Sequence, residues 1–370
     1  MNIQNQEEKD MKRKIIASFM VAVLAAGCIT GCGSSSGDGT ESASSGGTLN
    51  VLTWEGDVAD DQISGFEKEY GVKVNVTYVE DTNTILAKML QGSNEYDVID
   101  VESAYVKSFV DADLLAPLDY DVITNYDNIE PSYVEKGPIG DEDLKYSLPI
   151  SGPLYTGVVV NKETCPIEIT SFKDLADPAL EGQLWCTNAT ISLYAGALKA
   201  LGYSPNSSDE NELKEAQELL RKIKPNVKAF GASSISSLET GDCSVAYCYD
   251  YNMLMCDDKK NWDKFEIIPD TTLGYTQYWT IAASSKKQKL ANEFINYAYT
   301  EDAAAAIANE WGGVPAVKQD LIKDDVDSDY FDNPIMQQFA DMWPDHDDLS
   351  ASDEQTAAMD TLYNELMSGQ

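Results

Sequence analysis

From Thr48 onward the chain alternates strand-like and helix-like segments, and a chain written that way folds as layers of helix against sheet. Leu49 to Trp54 reads as a first strand. Val58 to Tyr70 reads as a helix with Ile63 and Phe66 on its apolar side and Gly71 as its stop. Val72 to Val79 alternates Val72, Val74, Val76 and Tyr78 with polar residues, which predicts a strand with one buried face. A helix over Asn83 to Leu90 and a third strand over Tyr96 to Val101 follow, the latter running out into Glu102 and Ser103. Open α/β sheets hold ligands beyond the carboxyl ends of their strands, where the strand order reverses. Trp54 to Asp57 and Glu102 to Tyr105 occupy two such ends.

A second unit starts near Pro153. Its predicted helices are Ile191 to Leu201 and Asp209 to Lys224, the latter opened by a capping-box-like Asp209 and Glu212 and followed by Pro225. Ser244 to Tyr249 and Tyr278 to Ala282 read as strands. Leu290 to Tyr299, Glu301 to Asn309 and Asp353 to Met367 read as helices. The predicted class is therefore α/β, in two units.

The first thirty residues read as an address and not as part of the fold. Lys12, Arg13 and Lys14 precede an apolar run, Ile15 to Gly27, too short to span a membrane but suited to a secretory signal. Met11 opens that signal compactly, so translation is expected to start there. Ile29-Thr30-Gly31-Cys32 resembles the lipobox of bacterial lipoproteins, with Cys32 as the acylated first residue of the mature chain and Cys28 as the alternative. Residues 1–31 are then the signal peptide and 32–47 a Gly/Ser-rich tether. An ordinary cleaved signal that leaves Cys32 free is the competing reading.

Charge excludes several functions. With 63 acidic against 26 basic residues the formal net charge is −37, and no basic face exists to replace the counterions of a nucleic acid or to hold an anionic membrane. Membrane contact is expected only through the lipid anchor. The single histidine, His346, lies in an acidic loop, so neither a catalytic triad nor a multi-histidine metal site has its parts. Asp325, Asp327 and Asp329 imitate a calcium loop, but Tyr330 stands where the turn needs glycine and Met336 where a bidentate Glu belongs. No metal and no cofactor is expected. A secreted hydrolase using a carboxylate pair stays open as a remote alternative, although such pairs can be drawn anywhere in so acidic a chain. Beyond Cys32, the five cysteines 165, 186, 243, 248 and 256 admit one or two disulfides or free buried thiols.

Several segments together carry a likeness: Thr48 to Trp54, Phe66-Glu67-Lys68-Glu69-Tyr70-Gly71-Val72-Lys73-Val74, Glu95 to Val98, Tyr146-Ser147-Leu148-Pro149, Ala200 to Ser208, and Lys224 to Val227. In order and spacing, from about Thr48 to Gln370, the chain resembles the spermidine/putrescine-binding proteins of polyamine ABC importers. The resemblance implies a two-lobed periplasmic-binding-protein-like fold with a hinge and a ligand cleft between the lobes. The lobes are expected at 48–152 plus 277–323 and at 153–276 plus 324–370. It implies a monomeric receptor that is no enzyme and that delivers a small solute, a polyamine or related amine, to the permease subunits of an ABC importer.

Transferred residue by residue, the resemblance puts Trp54, Asp57, Glu102, Ser103, Ser192, Tyr249, Asp250, Tyr275 and Gln277 at the ligand. Asp57 stands where the family has Tyr, and Glu102 where it has Ser. Ala189 and Ser192 replace two amine-binding carboxylates, and Gln277 replaces an Asp. A multiply charged amine needs carboxylates to offset its lost hydration, with aromatic faces adding about 0.5 to 2 kcal/mol each. Relocation of the acids to Asp57, Glu102 and Asp250 keeps a polyamine as the expected ligand. If they are not relocated, the expectation is a less charged amine, an amino-acid derivative or another polar solute.

Overall fold

The computed structural model describes residues 47–79, 82–92, 95–135, 137–152, 154–231, 234–248, 263–327, 330–332, 349 and 353–368. Tyr249, Asp250, Tyr251, Cys256, Cys28 and Cys32 lie outside them. The first half of the chain supplies β1 (Thr48–Thr53), α1 (Asp60–Tyr70), β2 (Lys73–Tyr78), α2 (Thr82–Leu90), β3 (Val98–Glu102), α3 (Ser103–Asp111), β4 (Leu115–Ala116) and β5 (Ser147–Pro149). Then come β6 (Leu154–Asn161), β7 (Leu184–Thr187), α4 (Thr190–Leu201), α5 (Glu210–Ile223), β8 (Val227–Gly231), α6 (Ile235–Thr240), β9 (Val245–Cys248) and β10 (Phe265–Tyr275). The chain ends with β11 (Gln277–Ala282), α7 (Gln288–Ala298), α8 (Glu301–Trp311), α9 (Gln319–Ile322) and α10 (Asp353–Ser368).

These strands form two sheets. The first runs β2-β1-β3-β11-β4 with β5 also paired to β11, and the second runs β10-β6-β9-β7-β8. In the first, β1 is parallel to β2 and β3, while β11 returns antiparallel to β3. β3 is buried on both faces except at its last residue, as expected of a central strand. β2 is an edge strand, so Val74 and Val76 are only half-buried, a weaker burial than the alternation predicts.

Local signals end the helices where the sequence places them. Gly71, at φ 65°, stops α1. Asp209 caps α5 by accepting from the amides of Asn211 and Glu212 at 2.8 and 3.2 Å. The reciprocal arm of the expected capping box is absent, because the Glu212 carboxylate accepts from Ser207 Oγ instead.

One core packs α1, α7 and α8 on the first sheet. Phe294 of α7 meets Phe66 and Trp279 edge-on, with ring centroids 5.2 and 5.6 Å apart. A second core lies on one face of the second sheet, where Leu193 and Leu198 of α4 and Leu213 and Leu220 of α5 cover Val158, Leu184 and Tyr247. Met359 and Leu366 of α10 are buried there too, and Gln217 Nε2 donates to Leu362 O at 2.9 Å, so the last helix belongs to the second sheet. Near the end of α8, Asn309 donates to Asp325 O and accepts from Asp327 N, and Tyr330 donates to Gly313 O.

Two buried acids on or next to β3 are treated differently. Asp97, just before the strand, accepts from Asn50 N at 2.9 Å, from Ser285 Oγ at 2.7 Å and from Lys287 Nζ at 3.1 Å. Asp100, in the middle of the strand, has no such cation among the described residues. Among the described residues, Cys165, Cys186 and Cys243 are free thiols, and burial pushes the Cys186 thiol well above its ordinary range. No helix among them is long and apolar enough to cross a membrane.

The chain passes between the sheets at two described points. Residues 150–152 leave β5 toward β6, and Thr276 alone joins β10 to β11. Both crossings are tied to the first sheet, since Ile150 N donates to Gln277 O and Ser103 N donates to Thr276 O, each at 2.8 Å.

Candidate functional site

The two crossings bring the carboxyl ends of both sets of parallel strands to one side. β1 and β3 end there at Thr53 and Glu102, and β11 begins there at Gln277, directly opposite Glu102. In the second sheet, β7, β8 and β9 end, and β6 begins, at the corresponding edge. This is the crevice that α/β sheets use for ligands.

Residues opposite each other on antiparallel strands share a face with Cβ atoms about 5 Å apart, and residues two apart on a strand share it as well. Gln277, Glu102 and Asp100 therefore form one patch. Asp57 joins it from the loop after β1. Its amide donates back to Trp54 O at 3.3 Å, and Gly56 allows the tight return by adopting φ 105°.

The patch is rich in acceptors and poor in donors. Asp100 is wholly buried, and its Oδ2 accepts from Thr53 Oγ1 at 2.9 Å and from Trp54 N at 3.3 Å. Its Oδ1 receives no N–H or O–H donor, and its carboxyl lies against that of Asp57, a contact that becomes a hydrogen bond only when a proton sits between them. Burial, the charge of Asp57 and that contact hold Asp100 well above the usual carboxylate range. Burial also raises Asp57 to about 6, the contact with Asp100 partly opposing it, and burial alone raises Glu102 to about 7. Gln277 is 6% exposed with Oε1 unpartnered, and the Trp54 indole N–H is buried without an acceptor. Ser151 Oγ, at the other crossing, is 7% exposed and equally unpartnered. Among the described residues, no three His, Cys, Asp or Glu are grouped as a metal ion would require.

Of the residues expected at the ligand, Trp54, Asp57, Glu102 and Gln277 come together here. Ser103 does not offer its hydroxyl freely: Oγ accepts from Thr276 N at 3.4 Å, so the residue clasps the crossing. Tyr275 is half-buried in a small apolar cluster with Ile191 and Ala195 of α4, Leu273 and Leu349. Ser192 lies on the first turn of α4, with Oγ 3.5 Å from Thr156 Oγ1 and its carbonyl accepting from the Tyr247 hydroxyl at 2.8 Å. Tyr278 and Trp279 are core residues. Asp100 is the residue that sequence reasoning passed over. Its signal was a lone carboxylate inside the otherwise apolar run Val98-Ile99-Asp100-Val101.

Two sheets with a crevice at facing strand ends define the two-lobed solute-binding fold. A lipoprotein crystal structure from Treponema pallidum, described as TpPotD, shares that fold, with a TM-score of 0.74 over 86% of this chain and 99% of that one at 20% identity. Residues 61–336 match the family described as bacterial extracellular solute-binding protein, and the chain belongs to that family. It is an extracytoplasmic receptor and not an enzyme. Curated relatives include the spermidine/putrescine-binding periplasmic protein of Salmonella typhimurium, 28% identical over 73% of this chain and 78% of that protein. The putrescine-binding periplasmic protein of Escherichia coli K12 is 26% identical over 71% of this chain and 76% of its own.

Proposed function

We propose that this receptor captures a small organic amine, with putrescine and spermidine as the foremost candidates, and hands it to the permease of an ABC importer from a lipid anchor at Cys32. One observation carries the reading: Asp100 Oδ1, the Glu102 carboxyl and Gln277 Oε1 converge beside Trp54 without donors of their own. A group bearing several N–H bonds and a positive charge satisfies all of them, and the indole face of Trp54 adds cation–π attraction. The names borne by its relatives support the same class of ligand. Lobe boundaries near the two crossings and a monomeric state belong to this proposal.

A second reading, a less charged amine or an amino-acid derivative, is favoured by the other edge. Ala189 and Ser192 stand where two further acids are expected, so the described residues there offer hydroxyls and not charges. Titration calorimetry of the mature protein with spermidine, putrescine, a monoamine and an ω-amino acid decides between the two. Tight binding of the polyamines supports the first reading, and preference for the zwitterion or monoamine replaces it with the second. Silence toward all four removes both.

A further inference from the structure

Resting on the amine-receptor reading, we infer that Asp57 and Asp100 form a proton-exchange subsite: the empty receptor holds one proton between the two carboxyls, and an ammonium group of the solute takes its place. The two side chains approach from different elements, Asp100 from the centre of β3 and Asp57 from the loop after β1. Asp100 is wholly buried with Oδ1 unpartnered, and Trp54 links the two acids, its amide donating to Asp100 Oδ2 while its carbonyl accepts from Asp57 N. Two ionised carboxylates in such contact repel, and one proton between them converts the repulsion into a hydrogen bond. Gln277 independently points to a donor-bearing occupant, because its amide oxygen is buried without a partner on the face shared with Asp100 and Glu102.

The surroundings offer no protein cation to do the same job. Glu102 is the nearest titratable group on β3. Asp60 and Asp61 open α1, Glu55 lies in the intervening turn, and α8 contributes Glu310, next to Trp311, whose indole donates to Val58 O at 3.0 Å. β1 adds the neutral Thr53 and Trp54, and β11 adds Gln277. Lys287, at the start of α7, is engaged with Asp97 beyond the other end of β3. Among the described residues, no basic side chain acts on Asp57, Asp100 or Glu102.

The exchange balances simply. The ammonium keeps its own protons and donates N–H bonds to both carboxylates, while the displaced proton leaves to the solvent buffer. A neutral alcohol or amide of the same shape would leave the proton in place, so the subsite selects cations by charge and couples their capture to pH.

Calorimetry of spermidine binding in two buffers of different ionisation enthalpy counts the protons released. At pH 7 the wild type should release about 1.5, one from the pair and half from Glu102 with its value of about 7. Glu102→Gln should release about 1, and Asp100→Asn and Asp57→Asn about 0.5 each. Asp57→Asn changes only the loop side, so it serves if Asp100→Asn does not fold. In the ligand-free wild type, infrared spectroscopy should show a protonated-carboxyl band at pH 7 that spermidine abolishes and that Asp100→Asn reduces to the share of half-protonated Glu102. Spermidine binding with about half a proton released, or release that neither Asp variant changes, overturns the exchange and leaves the receptor reading intact. No spermidine binding by the wild type overturns the exchange and the polyamine reading together.

Discussion

The carboxyl of Asp57, turned back over the sheet at Gly56, lies against the buried carboxyl of Asp100, and among the described residues no basic side chain acts on either. Next to the same strand, Asp97 shows what a structural acid looks like, with three hydrogen bonds, one of them from a lysine. Removing an acid's charge from water without such partners costs several kcal/mol unless it is protonated. A pair left in this condition at the mouth of a ligand crevice is a site awaiting a cation.

The pair makes the empty protein acid-loving. A carboxyl whose value is raised by folding is bound to its proton more tightly in the native state, so stability falls as pH rises from the ordinary carboxylate range through about 6 for Asp57 and about 7 for Glu102. Asp100→Asn should flatten that slope and stabilise the ligand-free protein at pH 8 by about 1 to 3 kcal/mol. Urea unfolding at pH 5 and pH 8 measures it; an unchanged difference between the two pH values in the variant would contradict the assignment.

Glu102 and Trp54 should matter to the ligand more than to the fold. Glu102→Gln removes one charge partner of a buried cation, an effect of about 2 to 5 kcal/mol, or roughly 30- to several-thousand-fold in affinity for spermidine. Trp54→Ala removes a cation–π wall and should weaken binding by about 0.5 to 2 kcal/mol. Both are read by titration calorimetry, with thermal unfolding of the empty variants as the control.

Ser103 should behave as a hinge clasp. Its hydroxyl accepts from the amide of Thr276, the one residue between β10 and β11, so Ser103→Ala should cost about 1 kcal/mol of stability while changing spermidine affinity far less than Glu102→Gln. A hundredfold affinity loss without destabilisation would make it a ligand residue instead.

The proposed anchor has a separate test. Cys32→Ala should move the protein into the aqueous phase on detergent partitioning, since lipid chains alone are expected to hold it at the membrane. Release by Cys28→Ala and not by Cys32→Ala would shift the acylation site.

The alternation of strands and helices, the Gly71 stop, the Asp209 cap and the placement of Trp54 and Glu102 at strand ends were legible in the sequence. Each rests on periodicity or capping within a few residues, where local chemistry is decisive. The anomaly of Asp100 was also visible, as a charge inside a strand that must be buried on both faces. Its meaning was not, because burial becomes a site only when a loop from β1 brings Asp57 against it. Likewise Ser103, Tyr275 and Gln277 were all expected at the ligand, and the first clasps a crossing, the second packs under α4, and the third faces Glu102. Those fates depend on the register of β11 against β3 and on a single-residue passage between sheets. Such pairings join segments far apart in the chain, and only the folded packing chooses among them.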